Sequence, residues 1–455
     1  MRNKSIASAV LLSAAIAATA LSEPDPDPSM ESAAAPARPV ITLATNAQGQ
    51  WNFYLDGEPF PLRGVGGASA PGLLEKLKEA GGNCVRTWGI ETLAEDMGDG
   101  ERFIDRAHRL GIKVVPGIWV EHERHGFDYG DEDMIRKQRE RVLAGIRQYR
   151  DHPAIIAWCI GNEMEGPASP TGSIPVFREV EELVKRVKQE DSSRPVMSII
   201  AFNPGKISNV MAHCPSIDIL GVNSYGAAAG AGPALKAAGW TKPFAVTEFG
   251  VRGFWEVATT PWGAPLEPTS HEKARTYYAT HTLVTELNEG RELCLGTFAF
   301  LWGWKQEKTA TWFGMFLPTL EKLPSVDAMA KVWTGAWPEN RCPTIHAFTS
   351  EAYAATVAPG RIVEVQAEVS DANGDAMTFD WQVLEESRAQ SEGGDAEESP
   401  SVYPVRFIRD RDGLCTFISP DKPGDYRLFL VVRDGRGGAA TANFPFHVTA
   451  RTSKP

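Results

Sequence analysis

The chain is poor in the residues that mark several large function classes. Among 455 residues there are only 6 cysteines and 9 histidines. The cysteines stand at Cys84, Cys159, Cys214, Cys294, Cys342 and Cys415, and no two form a C-x-x-C pair. A zinc ribbon or a thioredoxin-type redox motif is therefore excluded. Basic residues are in the minority, with 46 Lys and Arg against 58 Asp and Glu and a net charge of −12. Nucleic acid, which demands clustered cations, is an unsuitable partner. A neutral substrate fits the balance better than a strongly anionic polymer. Beyond residue 21 no apolar run is long enough to span a bilayer. A G-x-G-x-x-G phosphate turn is also missing, since the first candidate strand ends Gly64-Val65-Gly66-Gly67-Ala68. That argues against a doubly wound dinucleotide fold.

Four segments differ in composition. Arg2 and Lys4 precede an Ala-rich apolar run from Ile6 to Leu21, with Ala18-Thr19-Ala20 as a small-x-small cleavage site. Residues 1–21 thus read as an export signal, and the mature protein is expected outside the cytoplasm, periplasmic or secreted, with no membrane span. Residues 22–39 are rich in Pro, Ala and acids and read as a linker. Residues 40–337 open with Trp51–Leu55 and an Asp56-Gly57 turn, a hairpin signature. They continue as short apolar runs alternating with amphipathic helices. Val176, Val180, Leu183, Val184 and Val187 mark one helical stripe. The apolar runs are Phe60–Val65, Asn83–Trp88, Lys113–Val120, Ile155–Ile160, Pro195–Ala201, Ile217–Val222, Phe244–Thr247 and Leu295–Trp302. Runs that are apolar throughout suit parallel strands covered by helices, and eight such units predict a (β/α)8 TIM barrel. From residue 338 to 455 the pattern becomes alternating strands with Asn373-Gly374 and Asp434-Gly435 turns. This predicts a small C-terminal Ig-like (PKD-like) β-sandwich, serving as spacer or carbohydrate-binding module. Its acidic stretch 385–399 reads as a mobile loop.

Cys84 and Cys159 lie in apolar runs and read as buried thiols. An exported chain permits a Cys294–Cys342 disulfide, which the sequence leaves open.

Barrel enzymes carry their chemistry at the C-terminal ends of the strands. Here those ends hold Arg86 and Trp88, then Trp119 and His122, Asn162 and Glu163, Asn223 and Tyr225, Glu248, and Trp302 and Trp304. Glu163 closes the fourth apolar run and Glu248 the seventh. Two carboxyl groups across one barrel mouth suit glycoside hydrolysis, which needs an acid on the leaving oxygen and a carboxylate on the opposite face of the sugar. The bland alternative, two structural carboxylates paired with arginine, does not explain why both end strands in register.

These motifs resemble the retaining β-glycosidases of clan A, in particular the TIM-barrel domain of glycoside hydrolase family 2. The phrase Asp56-Gly57-Glu58-Pro59-Phe60-Pro61-Leu62-Arg63-Gly64 is similar to that family's entry into its first strand, and Asn83-Cys84-Val85-Arg86 to its second. Gly161-Asn162-Glu163 and Thr247-Glu248-Phe249-Gly250 are similar to its fourth- and seventh-strand motifs. The resemblance implies Glu163 as acid/base and Glu248 as nucleophile. It implies Asn162 on the sugar 2-hydroxyl, Arg86 and Tyr225 holding Glu248, and Trp302 as floor beneath the sugar. Two features depart from the family: no sandwich domain precedes the barrel, and the first strand end lacks an Asn and a His common there.

Sugar faces pack well on indole rings, so Trp88, Trp119, Trp302, Trp304 and Trp312 are candidate platforms, two or three of them facing substrate. Packing between helices and strands would explain the rest. Glu121-His122-Glu123-Arg124-His125 has the wrong spacing for H-E-x-x-H, and His122 reads as a cleft-wall residue. Asp371-Ala372-Asn373-Gly374-Asp375 reads as a turn in preference to a Ca2+ loop. No metal or organic cofactor is called for. The expected function is a retaining glycoside hydrolase acting on a β-linked, glucan-like oligo- or polysaccharide. The alternatives are a β-glucan transglycosylase of the same clan, or a non-catalytic glycan-binding envelope protein. The loop Phe254–Ser270 is the expected determinant of specificity.

Overall fold

A computed structural model describes residues 38–389 and 394–450. The expected export signal and nearly all of the linker lie outside the described residues.

The described chain begins with an antiparallel sheet of β1 (Ile41–Thr45), β2 (Trp51–Leu55) and β3 (Glu58–Phe60). Leu55 pairs with Glu58, leaving Asp56-Gly57 as a two-residue loop. Both loop residues have positive φ, 52° and 85°. This is the I′ geometry that matches the twist of the flanking strands. Ile41 and Phe53 pack with Leu62, Cys84 and Leu295, which sit at the starts of barrel strands. The sheet thus closes the N-terminal end of the barrel and leaves the C-terminal mouth open.

The barrel strands are β4 (Leu62–Gly67), β5 (Cys84–Arg86), β6 (Lys113–Val115), β7 (Gly117–Ile118), β8 (Trp158–Asn162), β9 (Val196–Ala201), β10 (Ile219–Asn223), β11 (Phe244–Phe249) and β12 (Cys294–Trp302). They run parallel in the order β6-β5-β4-β12-β11-β10-β9-β8-β7. The outer members β6 and β7 are consecutive in sequence, separated only by Pro116, which has no N–H to give a ladder. They are two halves of one stave, so the nine strands make eight staves and the sheet closes on itself. The chain folds as a TIM barrel, with β8 as its fourth stave and β11 as its seventh.

Apolar residues on both strand faces explain the parallel arrangement. Val115, Ala157, Cys159, Met197, Ile199, Ala245 and Phe298 fill the barrel interior. Val114, Ile160, Ile200, Val222 and Val246 face outward onto helices. Two long helices show why their segments coil and where they start. In α1 (Glu132–Tyr149), Asp131 accepts from Asp133 N and Met134 N as N-cap. In α2 (Ile174–Glu190), the stripe Val176, Val180, Leu183, Val184 and Val187 is fully buried. No helix among the described residues is long and apolar enough to cross a membrane.

After the barrel come two four-stranded sheets. One has the order β13 (Thr344–Ser350), β15 (Ile362–Ser370), β18 (Leu414–Ile418), β17 (Phe407–Arg411). The other runs β14 (Thr356–Val357), β20 (Ala439–Val448), β19 (Gly424–Arg433), β16 (Thr378–Glu385). Val363, Val365 and Phe417 of the first sheet share a core with Leu428, Phe444 and Phe446 of the second. The sheets also bind the barrel. Arg427 donates to Pro265 O at 2.9 Å and Asn443 to Glu267 Oε2 at 2.7 Å. Glu267 takes three more bonds, from Lys273, Thr309 and Thr311. Glu267 is the buried node that ties the Phe254–Ser270 loop to β20, and Pro265 O ties the same loop to β19.

One point the sequence leaves open is answered here, and one expectation changes. Cys294 and Cys342 are free thiols, like the other four cysteines. The described part of the acidic stretch is not loose: Arg124 donates to Asp395 at 3.1 Å and Lys308 N to Glu397 at 2.7 Å. The Asp371 carboxylate accepts from Asn373 N and Asp375 N, as in an Asx turn.

Candidate active site

Bulges aim the side chains of the barrel mouth. On β8, Cys159 and Asn162 pair with Met197 and Ile199 of β9, so β8 holds one residue more than its neighbour over that step. Gly161 occupies the bulge at φ 74°, and a Cβ there would stand 2.4 Å from the Met164 sulfur. Glu163 follows at φ 52°, an uncommon conformation for a side-chain-bearing residue. On β11, Val246 and Glu248 pair with Val222 and Asn223 of β10, with Thr247 as the extra residue. Asn162, Glu163 and Glu248 all reach one cleft of about 790 Å³ as a result.

A continuous hydrogen-bond chain joins the two carboxyl groups. Arg86, wholly buried, donates to Glu248 Oε1 and to Thr247 O, both at 3.0 Å. Its other terminal nitrogen donates to Asn162 Oδ1. Asn223 Nδ2 donates to the same Asn162 oxygen at 3.1 Å and to Glu163 Oε1 at 2.8 Å. Thr247 fixes Asn223 from the other side at 2.8 Å.

The two carboxyl groups meet opposite environments. Glu248 receives the Arg86 charge, a bond from Trp88 Nε1 at 3.0 Å and one from the Tyr225 hydroxyl at 2.8 Å. Its carboxyl group thus accepts from three donors, one of them cationic. Glu163 accepts a single bond from the neutral Asn223. Burial first, and the Glu248 charge second, push it up to about 8. At neutral pH Glu163 therefore keeps its proton beside the Arg86-bound Glu248. Burial, then Glu248, also raise Tyr225, keeping it a hydroxyl donor.

Aromatic rings form the walls. Trp88 meets Phe300 edge-on at 5.7 Å, and Tyr225 packs between Phe300, Phe313 and Trp255. Trp119 lines the cleft and Trp255 stands 58% exposed at its rim. Of the five tryptophans singled out from sequence, Trp88 and Trp119 line the cleft and three do not. Trp302 is not a floor for substrate. It is fully buried, donates to Leu73 O at 3.0 Å and packs on Phe316 and Trp333. A bulge between Ala299 and Trp302 on β12 turns it outward, and Phe300 takes the inward place. Trp304 lines a separate recess beside Gly67 and Leu317. Trp312 is buried and donates to Arg252 O.

His122 is likewise absent from the cleft lining. It is buried behind Trp119, 4.9 Å between ring centres, and contacts Arg124 at 3.0 Å. Burial, then the Arg124 charge, lower it to about 4, so it supports Trp119 as a neutral ring. Glu165 points away from the cleft into a fully buried pair with Lys206 at 2.8 Å. Sequence reasoning missed Phe300, Trp255, Lys305, Glu307 and Asp395 as cleft residues. Phe300 was findable from its alternation with Phe298. The others sit on loops and carried no periodic signal.

Residues 103–251, ending just past Glu248, match the family described as glycosyl hydrolases family 2, TIM barrel domain. The barrel resembles those of family 2 glycosyl hydrolases. The β-glucuronidase of Mus musculus is 25% identical over 201 residues, 41% of this chain and 28% of that protein. A putative β-glucuronidase of Formosa agariphila is 30% identical over 134 residues, 26% of this chain and 12% of that protein. The solved structure of Bacteroides uniformis β-glucuronidase 2 superposes with a TM-score of 0.50 at 13% identity, covering 90% of this chain and 48% of that one. The chain thus spans less than half the length of each of these proteins, and the last likeness concerns fold alone.

Proposed function

We propose that the protein is a retaining β-glycosidase working by double displacement. The observation that carries this reading is the asymmetry of two carboxyl groups in one family 2-like cleft, Glu163 held up near 8 and Glu248 bound by Arg86, Trp88 and Tyr225. Glu248 attacks the anomeric carbon while protonated Glu163 gives its proton to the departing oxygen, forming a glycosyl ester on Glu248. Glu163, now ionised, takes a proton from water, whose oxygen displaces Glu248 and restores both groups. Asn162 has its oxygen committed to Arg86 and Asn223, which turns its amide N–H toward the sugar. Residues of the aromatic wall pack the sugar faces. The substrate is a β-linked, glucan-like saccharide, and an acceptor sugar in place of water would give transfer. Residues 338–455 are read as an Ig-like sandwich domain, and the N-terminal pattern as an export signal.

The test uses the purified full-length protein with 4-nitrophenyl β-glycosides and β-glucan, mannan and xylan oligosaccharides. Proton NMR should show the β-anomer as the first product. A 2-deoxy-2-fluoroglycoside should leave its sugar on the peptide carrying Glu248. An α-anomer first would replace the mechanism with inversion. Lack of both turnover and labelling would favour a non-catalytic glycan binder.

A further inference from the structure

Fixed charges in the cleft bear on the kind of sugar it takes, and part of that charge comes from outside the barrel. Five carboxyl groups line the cleft, Glu163, Glu248, Glu256, Glu307 and Asp395, against one cation, Lys305. Lys305 is committed: its ammonium sits 2.8 Å from Glu307 and donates to Gly394 O at 2.5 Å. Arg86, beneath the cleft, is committed to Glu248 and Asn162. Arg124, at the edge, is committed to Asp395 at 3.1 Å, where His125 also stands at 3.5 Å. Glu256 has no such cation; its carboxylate accepts from the backbone N–H groups of Gly226 and Gly253. Among the described residues, then, no cation lining the cleft is left for a substrate carboxylate. The wall itself is net negative.

Asp395 lies on the segment between β16 and β17, in the C-terminal sheets, yet it lines the barrel cleft together with Gly394. Its anchors, Arg124 and His125, stand on the loop after the third stave. Those of Gly394 and Glu397, Lys305 and Lys308, stand on the loop after the eighth. The C-terminal sheets thus supply a wall of the cleft, and that wall carries a negative group which masks Arg124.

Resting on the glycosidase reading above, we propose that the cleft takes an uncharged sugar and rejects uronic acids, with Asp395 as a specificity-determining residue. A uronate carboxylate in this cleft would lose water, find no free cation and face Glu256, Glu307 and Asp395. This sets the protein apart from the β-glucuronidases it resembles in sequence.

The experiment compares kcat/KM for 4-nitrophenyl β-D-glucuronide with the β-D-glucoside, galactoside, mannoside and xyloside, in the wild type and in Asp395→Asn. In parallel, thermal shift compares protection by D-glucono-1,5-lactone and by the anionic D-glucaro-1,4-lactone. The wild type should favour a neutral glycoside and bind only the neutral lactone. Asp395→Asn removes one negative charge and unmasks Arg124. It should move the glucuronide-to-neutral ratio toward glucuronide by on the order of tenfold. A merely structural role for Asp395 would lower stability and leave that ratio in place. A wild type that prefers glucuronide overturns the proposal, and an unmoved ratio overturns the part given to Asp395. Failure of every glycoside would count against the glycosidase reading, while tighter binding of the anionic lactone would still refute the charge argument.

Discussion

Glu163→Gln should make the protein more stable, and increasingly so as pH rises. Folded Glu163 keeps its proton up to about 8, against an ordinary value of 4.5. Between those limits the folded state binds more protons than the unfolded state, so stability falls as pH rises through that window. The loss is absent below about pH 4 and complete above about pH 8. At 1.36 kcal/mol per pH unit the ceiling is about 5 kcal/mol. Glu163 faces an open cleft and shares its field with Glu248, so less than half that ceiling is expected, roughly 2 kcal/mol. With about 2.1 cal/mol/K of unfolding entropy per residue, that corresponds to a Tm difference of roughly 2 °C.

The assay is a set of melting curves for wild type and Glu163→Gln at half-unit steps from pH 4.5 to 9. The gap between the curves should open from near zero and level off past pH 8. The same proton should appear in kinetics. Wild-type kcat/KM on a substrate with a poor leaving group should fall above pH 8, as the acid is lost. Glu163→Gln should lose about 10²- to 10⁴-fold on that substrate. It should lose far less on a dinitrophenyl glycoside, whose leaving group needs no proton. A gap that stays flat from pH 5 to 9 would mean Glu163 titrates as an ordinary surface carboxyl. The division of labour between the two carboxyl groups would then have no physical basis.

Arg86→Met leaves Glu248 in the cleft without its cation, and should cost about 3–5 kcal/mol by chemical denaturation as well as activity. Lys206→Met abandons Glu165 in a site where both partners are fully buried, at a similar cost of about 3–5 kcal/mol that shrinks at low pH as Glu165 protonates. Gly161→Ala meets both a φ of 74° and the Met164 sulfur. It should cost about 1–3 kcal/mol and reduce kcat by displacing Asn162 and Glu163. Trp302→Leu should lower Tm without changing KM, whereas Trp255→Ala, at an exposed rim, should raise KM and leave Tm within a degree or two of wild type.

The barrel was legible because its staves are apolar on both faces and its helices carry a 3.6-residue stripe. Continuous apolar runs and a 3.6-residue stripe are the physical reason strands and helices alternate as they do. The C-terminal change to alternating strands was legible for the same reason. Contacts joining the two regions were not: Asn443 to Glu267, Arg427 to Pro265 O and Arg124 to Asp395 link residues more than 160 positions apart. They are polar residues without a repeating pattern, so nothing local distinguishes them from solvated surface. The acidic segment read as loose for that reason, although Asp395 and Glu397 meet cations and N–H groups fixed on the barrel loops.

Within the site, success and failure have one cause. Strict alternation along β11 puts Ala245 inside, Val246 outside and Thr247 inside, which would send Glu248 outward onto the helices. The bulge at Thr247 reverses that and delivers Glu248 to Arg86, Trp88 and Tyr225. Along β12 the same alternation puts Phe298 and Phe300 inside and would place Trp302 with them. The bulge after Ala299 carries Trp302 into the helix-facing core instead. Periodicity therefore predicts Trp302 in the cleft and Glu248 out of it, and the structure has the reverse in both cases. Glu248 is legible in the sequence because it closes the seventh apolar run, at the C-terminal end of a strand, and not through inward-outward alternation; the resemblance adds its role as nucleophile. Bulges add one residue per step, cost ladder bonds and recur beside active sites because they re-aim single side chains. In this barrel the residue pattern specifies the scaffold, and the departures from that pattern at Gly161, Thr247 and Phe300–Leu301 specify which side chains meet in the cleft.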